Sequence, residues 1–136
     1  MNPKLILRVL TAAALVGVAV VHLDIAGTYT SIGKHPLALS DQFYVQAAVA
    51  IVLALALLVR PHLLVWLAAA GFAVGSLAVL VYSRYKALPI YGFPPGFTET
   101  WDAKGAKLAA AFESATILLA SVGAALALRT RQARSS

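Results

Sequence analysis

The chain has 136 residues, 61% of them hydrophobic and 12% charged, and carries a net charge of +6 without a single cysteine. A soluble domain holds roughly 45–50% apolar and about 25% charged residues, and a chain this short has too much surface to hide the excess. Composition therefore excludes a soluble globule and intrinsic disorder, and the missing thiols exclude disulfides and thiolate metal sites.

Asn2-Pro3 opens the first element, Asn as N-cap and Pro at the first helical position. The apolar run 5–23 follows, interrupted by Arg8 and His22. Arg8 lies near the end, where it can snorkel to headgroups. Lys4 and Arg8 imitate the basic start of a signal peptide, but the apolar stretch is long for a signal core, so the segment reads as a retained helix. Residues 24–40 carry Gly, Thr, Ser and Pro and read as a loop. Ser40-Asp41 then caps a second run, 43–59.

Arg60-Pro61-His62 is a very short turn into a third run, 63–82. It forces the second and third helices to be antiparallel neighbours. Residues 83–107 hold three prolines and two glycines between Leu88 and Phe97, which exclude a regular helix there. Ile90, Tyr91, Phe93, Phe97 and Trp101 make this segment too apolar for a free loop, so it is expected to fold back and cap the bundle. The fourth run is 108–128. All four are close to the roughly 20 residues that cross about 30 Å of hydrocarbon. The expectation is one all-α domain over 1–136, a polytopic antiparallel bundle of four transmembrane helices with an extracytoplasmic capping loop. Its spans are approximately 5–23, 41–60, 63–83 and 105–128.

The cations sit at segment ends and tails, which points to membrane anchoring and not to nucleic acid. Lys4, Arg8, Arg60, Arg129, Arg131 and Arg134 share one side; Lys34, Arg84, Lys86, Lys104 and Lys107 share the other. The first group sits in two short tails and a three-residue turn, where the positive-inside rule acts most strongly. Both termini are therefore placed in the cytoplasm. Tyr82, Tyr85, Tyr91 and Trp101 would form an outer aromatic belt and Trp66 an inner one, and the basic C-terminal tail would touch anionic lipids.

On the fourth run Ala106, Ala109, Ala110, Glu113, Thr116, Ala120, Gly123 and Ala124 form one stripe of small residues, with Phe112 and several leucines elsewhere. Gly71 and Gly75 read as an intrachain packing groove in preference to a dimer motif. Ala13 and Gly17, one turn apart, suit a tight contact, with Ala12 and Ala19 on a separate face.

Glu113 is the one acid inside a span. A charge there costs roughly 2.5–3.5 kcal/mol by insertion scales, so it must face the bundle interior and find a partner. It lies six residues inside Lys107, or about 9 Å. His22 near the end of the first helix and Gln46 near the start of the second fall at a similar level. Tyr29, Tyr44 and Tyr85 could reach the rim of such a cluster. Three readings fit it: a polar clasp that fixes helix register, a ligand- or proton-binding site, or a metal site. Asp24 and His35 could complete the last, but their spacing carries no metal signature. Only His22 is placed to ligate haem.

Leu5-x-x-Arg8 followed by His22, His22-Leu23, the later Tyr29 and the membrane acid Glu113 resemble the DoxX-like proteins and the small four-helix membrane proteins of actinobacteria. Gln46 stands where DoxX-like chains often carry an acid. The resemblance implies a bacterial cytoplasmic (inner) membrane and, for some relatives, quinone-linked or oxidative-stress complexes.

The expected function is a small membrane protein that binds a proton, a lipid or a small hydrophobic or cationic ligand at Glu113, His22, Gln46, Tyr29 and Tyr85, with a carrier as one form of that function. The alternatives are a noncatalytic accessory subunit of a larger membrane complex, a homo-oligomer, or a quinone- or lipid-linked redox component. No full set of acid, base and nucleophile is legible, so enzyme activity is the weakest reading.

Overall fold

A computed structural model describes residues 2–30, 38–88 and 95–135, apart from the side chain of Arg134. Among them are four long helices and no strand. They are α1 (Pro3–Ala26), α2 (Leu39–Val59), α3 (Leu63–Tyr82) and α4 (Ala106–Ser135). Each is long and apolar enough to cross a membrane.

The ends differ from expectation for local reasons. The Asn2 side chain accepts a hydrogen bond from the Lys4 N–H at 2.9 Å, which caps α1 as expected. At the other end α1 overruns its predicted stop and continues into a 3-10 turn, Gly27–Tyr29. Ile25 and Tyr29 are buried there against Leu39, with Phe43 and Phe97 packed around them, so tertiary burial overrides the loop-like composition. Helix α2 begins before Ser40, which is buried and does not cap; Asp41 reaches back to accept from the Ala38 N–H at 3.1 Å. Helix α4 carries the basic tail as helix to Ser135, since nothing after Gly123 breaks it.

The helices are held by alanine seams. Ala47, Ala50, Ala54 and Leu57 of α2 face Ala12, Leu15, Val18 and Ala19 of α1 in one buried core, which Trp66 and Ala69 of α3 and Ala120 and Ala124 of α4 complete. Small side chains let backbones approach, which matters in lipid, where van der Waals packing replaces the hydrophobic drive. The Arg8 Nε donates to the Leu57 carbonyl at 3.1 Å and its Nη2 to that of Leu58, so Arg8 caps the end of α2. Gly105 turns the chain into α4 with a φ of 78°, close beneath Val21 and Ile25 of α1.

The outward faces are apolar. Val20, Val52, Leu64 and Leu118 are each more than half exposed, a pattern suited to hydrocarbon and costly in water.

Three packing expectations are corrected. Gly71 and Gly75 face outward, and a Cβ on either would meet nothing within 4 Å, so they form no intrachain groove. Trp66 is only 4% exposed; it lies against Gly123 in the core and is no interfacial belt residue. On α1 the tight contact falls on Gly17, which seats the Phe112 ring, while Ala13 is exposed and Ala12 and Ala19 are the buried pair.

Candidate functional site

Glu113 points inward from the small-residue stripe of α4 and is 1% exposed. The stripe explains the placement. Ala106, Ala109, Thr116 and Ala120 are buried on the same face, so that face is the one that packs.

Three helices converge on the carboxyl. The Ser76 hydroxyl of α3 lies 2.5 Å from Glu113 Oε1 and 2.8 Å from Gln46 Oε1 of α2. His22 of α1 is 4% exposed, and its Nε2 lies 3.9 Å from Glu113 Oε1. Its Nδ1 faces the Val18 carbonyl at 2.8 Å, so an Nδ1–H donating there leaves Nε2 as the acceptor turned to the carboxyl.

Hydrogen bookkeeping limits the protonation states open to the cluster. A serine hydroxyl has one hydrogen, and here it faces two oxygens. Two arrangements satisfy the Ser76 hydroxyl. In one, a protonated Glu113 donates to Ser76, which donates to Gln46. In the other, Ser76 donates to a carboxylate while the Gln46 amide, rotated by half a turn, donates to Ser76. The two arrangements differ by one proton, held on the Glu113 carboxyl in the first.

Glu113 Oε2 is buried and has no hydrogen-bond partner among the described residues. The residue borders a cavity of about 60 Å³ that Arg84, Glu99, Tyr29 and Lys104 also line. That is room for a few water molecules or a guest of a few heavy atoms. Arg84 brings two more buried, unpartnered atoms, Nε and Nη1; Glu99 Oε2 stands 3.8 Å from Nη1, too far for a hydrogen bond. The guanidinium lies over the Trp101 ring, 5.7 Å from its centroid, a cation–π contact. The Glu99 N–H donates to the Ser83 carbonyl at 3.0 Å, which ties the segment after Gly96 to the end of α3.

Of the residues expected at the site, His22, Gln46, Glu113 and Tyr29 line this cavity. Tyr29 is 7% exposed and packs edge-on against Phe43, with centroids 5.2 Å apart. Tyr85 does not join them; it is 73% exposed and turned away, as is Tyr44. Asp24 is paired with Lys104 at 3.1 Å, outside the cluster. His35 and Tyr91 lie outside the described residues. Among the described residues no group of three or more His, Cys, Asp or Glu could hold a metal ion.

Sequence reasoning missed Ser76 and the part played by Arg84. A lone serine in an otherwise apolar helix was the available signal for the first, and its level fits, six residues before Tyr82. Compared with protein-family models, with curated proteins and with solved structures, the chain matches none. Fold and site together define a small multi-pass membrane protein with four apolar helices and a polar cluster buried between them.

Proposed function

We propose that this chain is a small binding protein of the bacterial cytoplasmic membrane that takes up a proton together with a small polar guest at Glu113. The observation that carries the reading is the unpartnered Oε2 of Glu113 beside a cavity that Arg84 also borders. An orphaned buried oxygen and two orphaned guanidinium nitrogens are costly unless something bridges them. A guest with one donor and one acceptor, or a short file of water, would serve both. Arg84 and Lys104 on the cavity wall argue against a bare cation. The hydrophobic ligand considered from sequence has little room in about 60 Å³.

In this reading the helices run antiparallel with both termini in the cytoplasm and the cluster in the outer leaflet. The contact of Arg8 with Leu57 and Leu58, and of Trp66 with Gly123, supports the antiparallel course by joining the start of one helix to the later part of its neighbour. Phe97 packed on Ile25, Tyr29 and Leu39 supports a capping role for the segment before α4. The DoxX-like relation rests on His22-Leu23, Tyr29 and Glu113.

Proton flux tests the reading. Proteoliposomes loaded with a pH-sensitive dye and given a potassium diffusion potential should acidify faster with the wild type than empty vesicles do. Glu113→Gln should return the rate to that of empty vesicles. Equal rates for wild type, variant and empty vesicles would contradict proton movement through Glu113 and leave a site that binds without transport, or a structural clasp.

The outward Gly71 and Gly75 favour a second reading, in which this face of α3 packs on another membrane helix, in a homo-oligomer or as an accessory subunit. A stoichiometric partner retained in mild detergent would favour it.

A further inference from the structure

Charge is divided unevenly between the two ends of the bundle. All five acids, Asp24, Asp41, Glu99, Asp102 and Glu113, belong to the end that holds the Glu113 cluster. Among the described residues that end also carries Arg84, Lys86, Lys104 and Lys107, two of them paired with acids at 3.1 and 3.0 Å. The opposite end has Lys4, Arg8, Arg60, Arg129 and Arg131 and no acid at all. Its positive charge has no counter-charge within the described chain.

A cavity of about 370 Å³ opens at this end, between the start of α1, the 60–62 turn and the last turns of α4. Lys4, Arg8, His62 and Arg131 line it along with apolar side chains, among them Leu7 and Trp66. The arrangement at its wall is incomplete. His62 Nδ1 stands 3.3 Å from the Leu64 N–H, as the N-cap of α3, and His62 Nε2 stands 2.8 Å from Arg131 Nη2. A neutral imidazole has one acceptor nitrogen. In either tautomer one of these contacts sets a donor against a donor. An anion that draws the guanidinium off the imidazole, so that each donates to an anion oxygen in place of facing the other at 2.8 Å, relieves that conflict. Arg8 spends its Nε and one Nη2 hydrogen on the carbonyls of Leu57 and Leu58, which leaves further guanidinium hydrogens free to donate.

We propose that this cavity binds a phosphate group, with Lys4, Arg8, His62 and Arg131 around it and Leu7 and Trp66 against any apolar part of the molecule that carries it. A guanidinium suits phosphate oxygens through paired, charge-assisted hydrogen bonds. The two sources of that chemistry are the headgroup of an anionic phospholipid and free phosphate. The apolar wall favours the lipid, whose acyl chain would lie on it. The site stands apart from the Glu113 cluster, and neither depends on the other.

Trp66 is the natural reporter, because the chain has two tryptophans and Trp101→Phe leaves Trp66 alone while keeping a ring beside Arg84. In nanodiscs of phosphatidylcholine, phosphatidylglycerol with brominated acyl chains should quench Trp66 at about tenfold lower mole fraction than brominated phosphatidylcholine. Lys4→Gln with Arg131→Gln should weaken that preference about tenfold more than Arg60→Gln with Arg129→Gln. The second pair removes two charges from the same end that do not line the cavity, so it measures diffuse surface attraction. In zwitterionic detergent, inorganic phosphate is titrated against the same fluorescence. Saturable change with phosphate but no preference for phosphatidylglycerol assigns the site to free phosphate. Equal quenching by both lipids without a phosphate response, or equal loss in the two double variants, overturns the proposal.

Discussion

Gly123→Ala will destabilise the bundle, although alanine is the better helix former. A Cβ at position 123 falls within the contact distance of the Trp66 ring, which is itself fixed in the core. A rigid indole cannot yield as the tip of a flexible chain does, so α3 and α4 must part or the ring must leave its rotamer. Overpacking of this kind costs about 1–3 kcal/mol, against a propensity gain of about 1 kcal/mol. Gly123→Leu should abolish the α3–α4 contact. Gly75→Ala supplies the opposite sign. Its added methyl meets nothing within 4 Å, so only the propensity gain of up to about 1 kcal/mol remains. Reversible unfolding of both variants in mixed micelles checks the pair. Equal effects would mean that Trp66 does not seat on Gly123.

Glu113→Ala carries the second large effect. It removes the group that Ser76 contacts at 2.5 Å and that His22 faces at 3.9 Å. It also enlarges the cavity that Glu113 borders, since this side chain is itself only 1% exposed. Each buried polar group left without its partner costs about 1–3 kcal/mol, and the emptied volume adds to that. Glu113→Gln keeps the shape and one hydrogen-bonding oxygen, so it should cost less stability while ending proton uptake. The two variants therefore separate the structural contribution of this side chain from its chemical one. If Glu113→Ala unfolded at the wild-type midpoint, the side chain would not be the buried partner of Ser76.

The spans were readable because the membrane sets the length of an apolar run, and Pro61 marks a break between α2 and α3 that neither helix crosses. Their ends were less readable. Tyr29 belongs to the helical end of α1 because Leu39 and Phe43, from another helix, cover it, and a loop-like composition cannot report that. The level of the polar site was legible too, since counting residues along a helix gives depth. Rotation is a different matter. Whether His22, Gln46 and Glu113 face one another depends on how each helix turns about its axis, and Ser76 became visible as their link only once α3 was in place. The same gap explains Gly71 and Gly75. A glycine pair marks a place where something can approach closely, without stating whether that neighbour is in the same chain. Trp66 was misassigned because its type suits an interface, while the room that Gly123 leaves for it lies 57 residues away.

A double-mutant cycle between Ser76→Ala and Glu113→Ala, each of which removes the contact, read by reversible unfolding, tests most directly whether the buried acid is tied into a cluster spanning the helices. Contacting partners in one network couple by about 0.5–3 kcal/mol, and a carboxyl and hydroxyl at 2.5 Å should fall in the upper half of that range. Additivity within about 0.3–0.5 kcal/mol would mean that Glu113 and Ser76 do not meet, and the cluster would lose its centre.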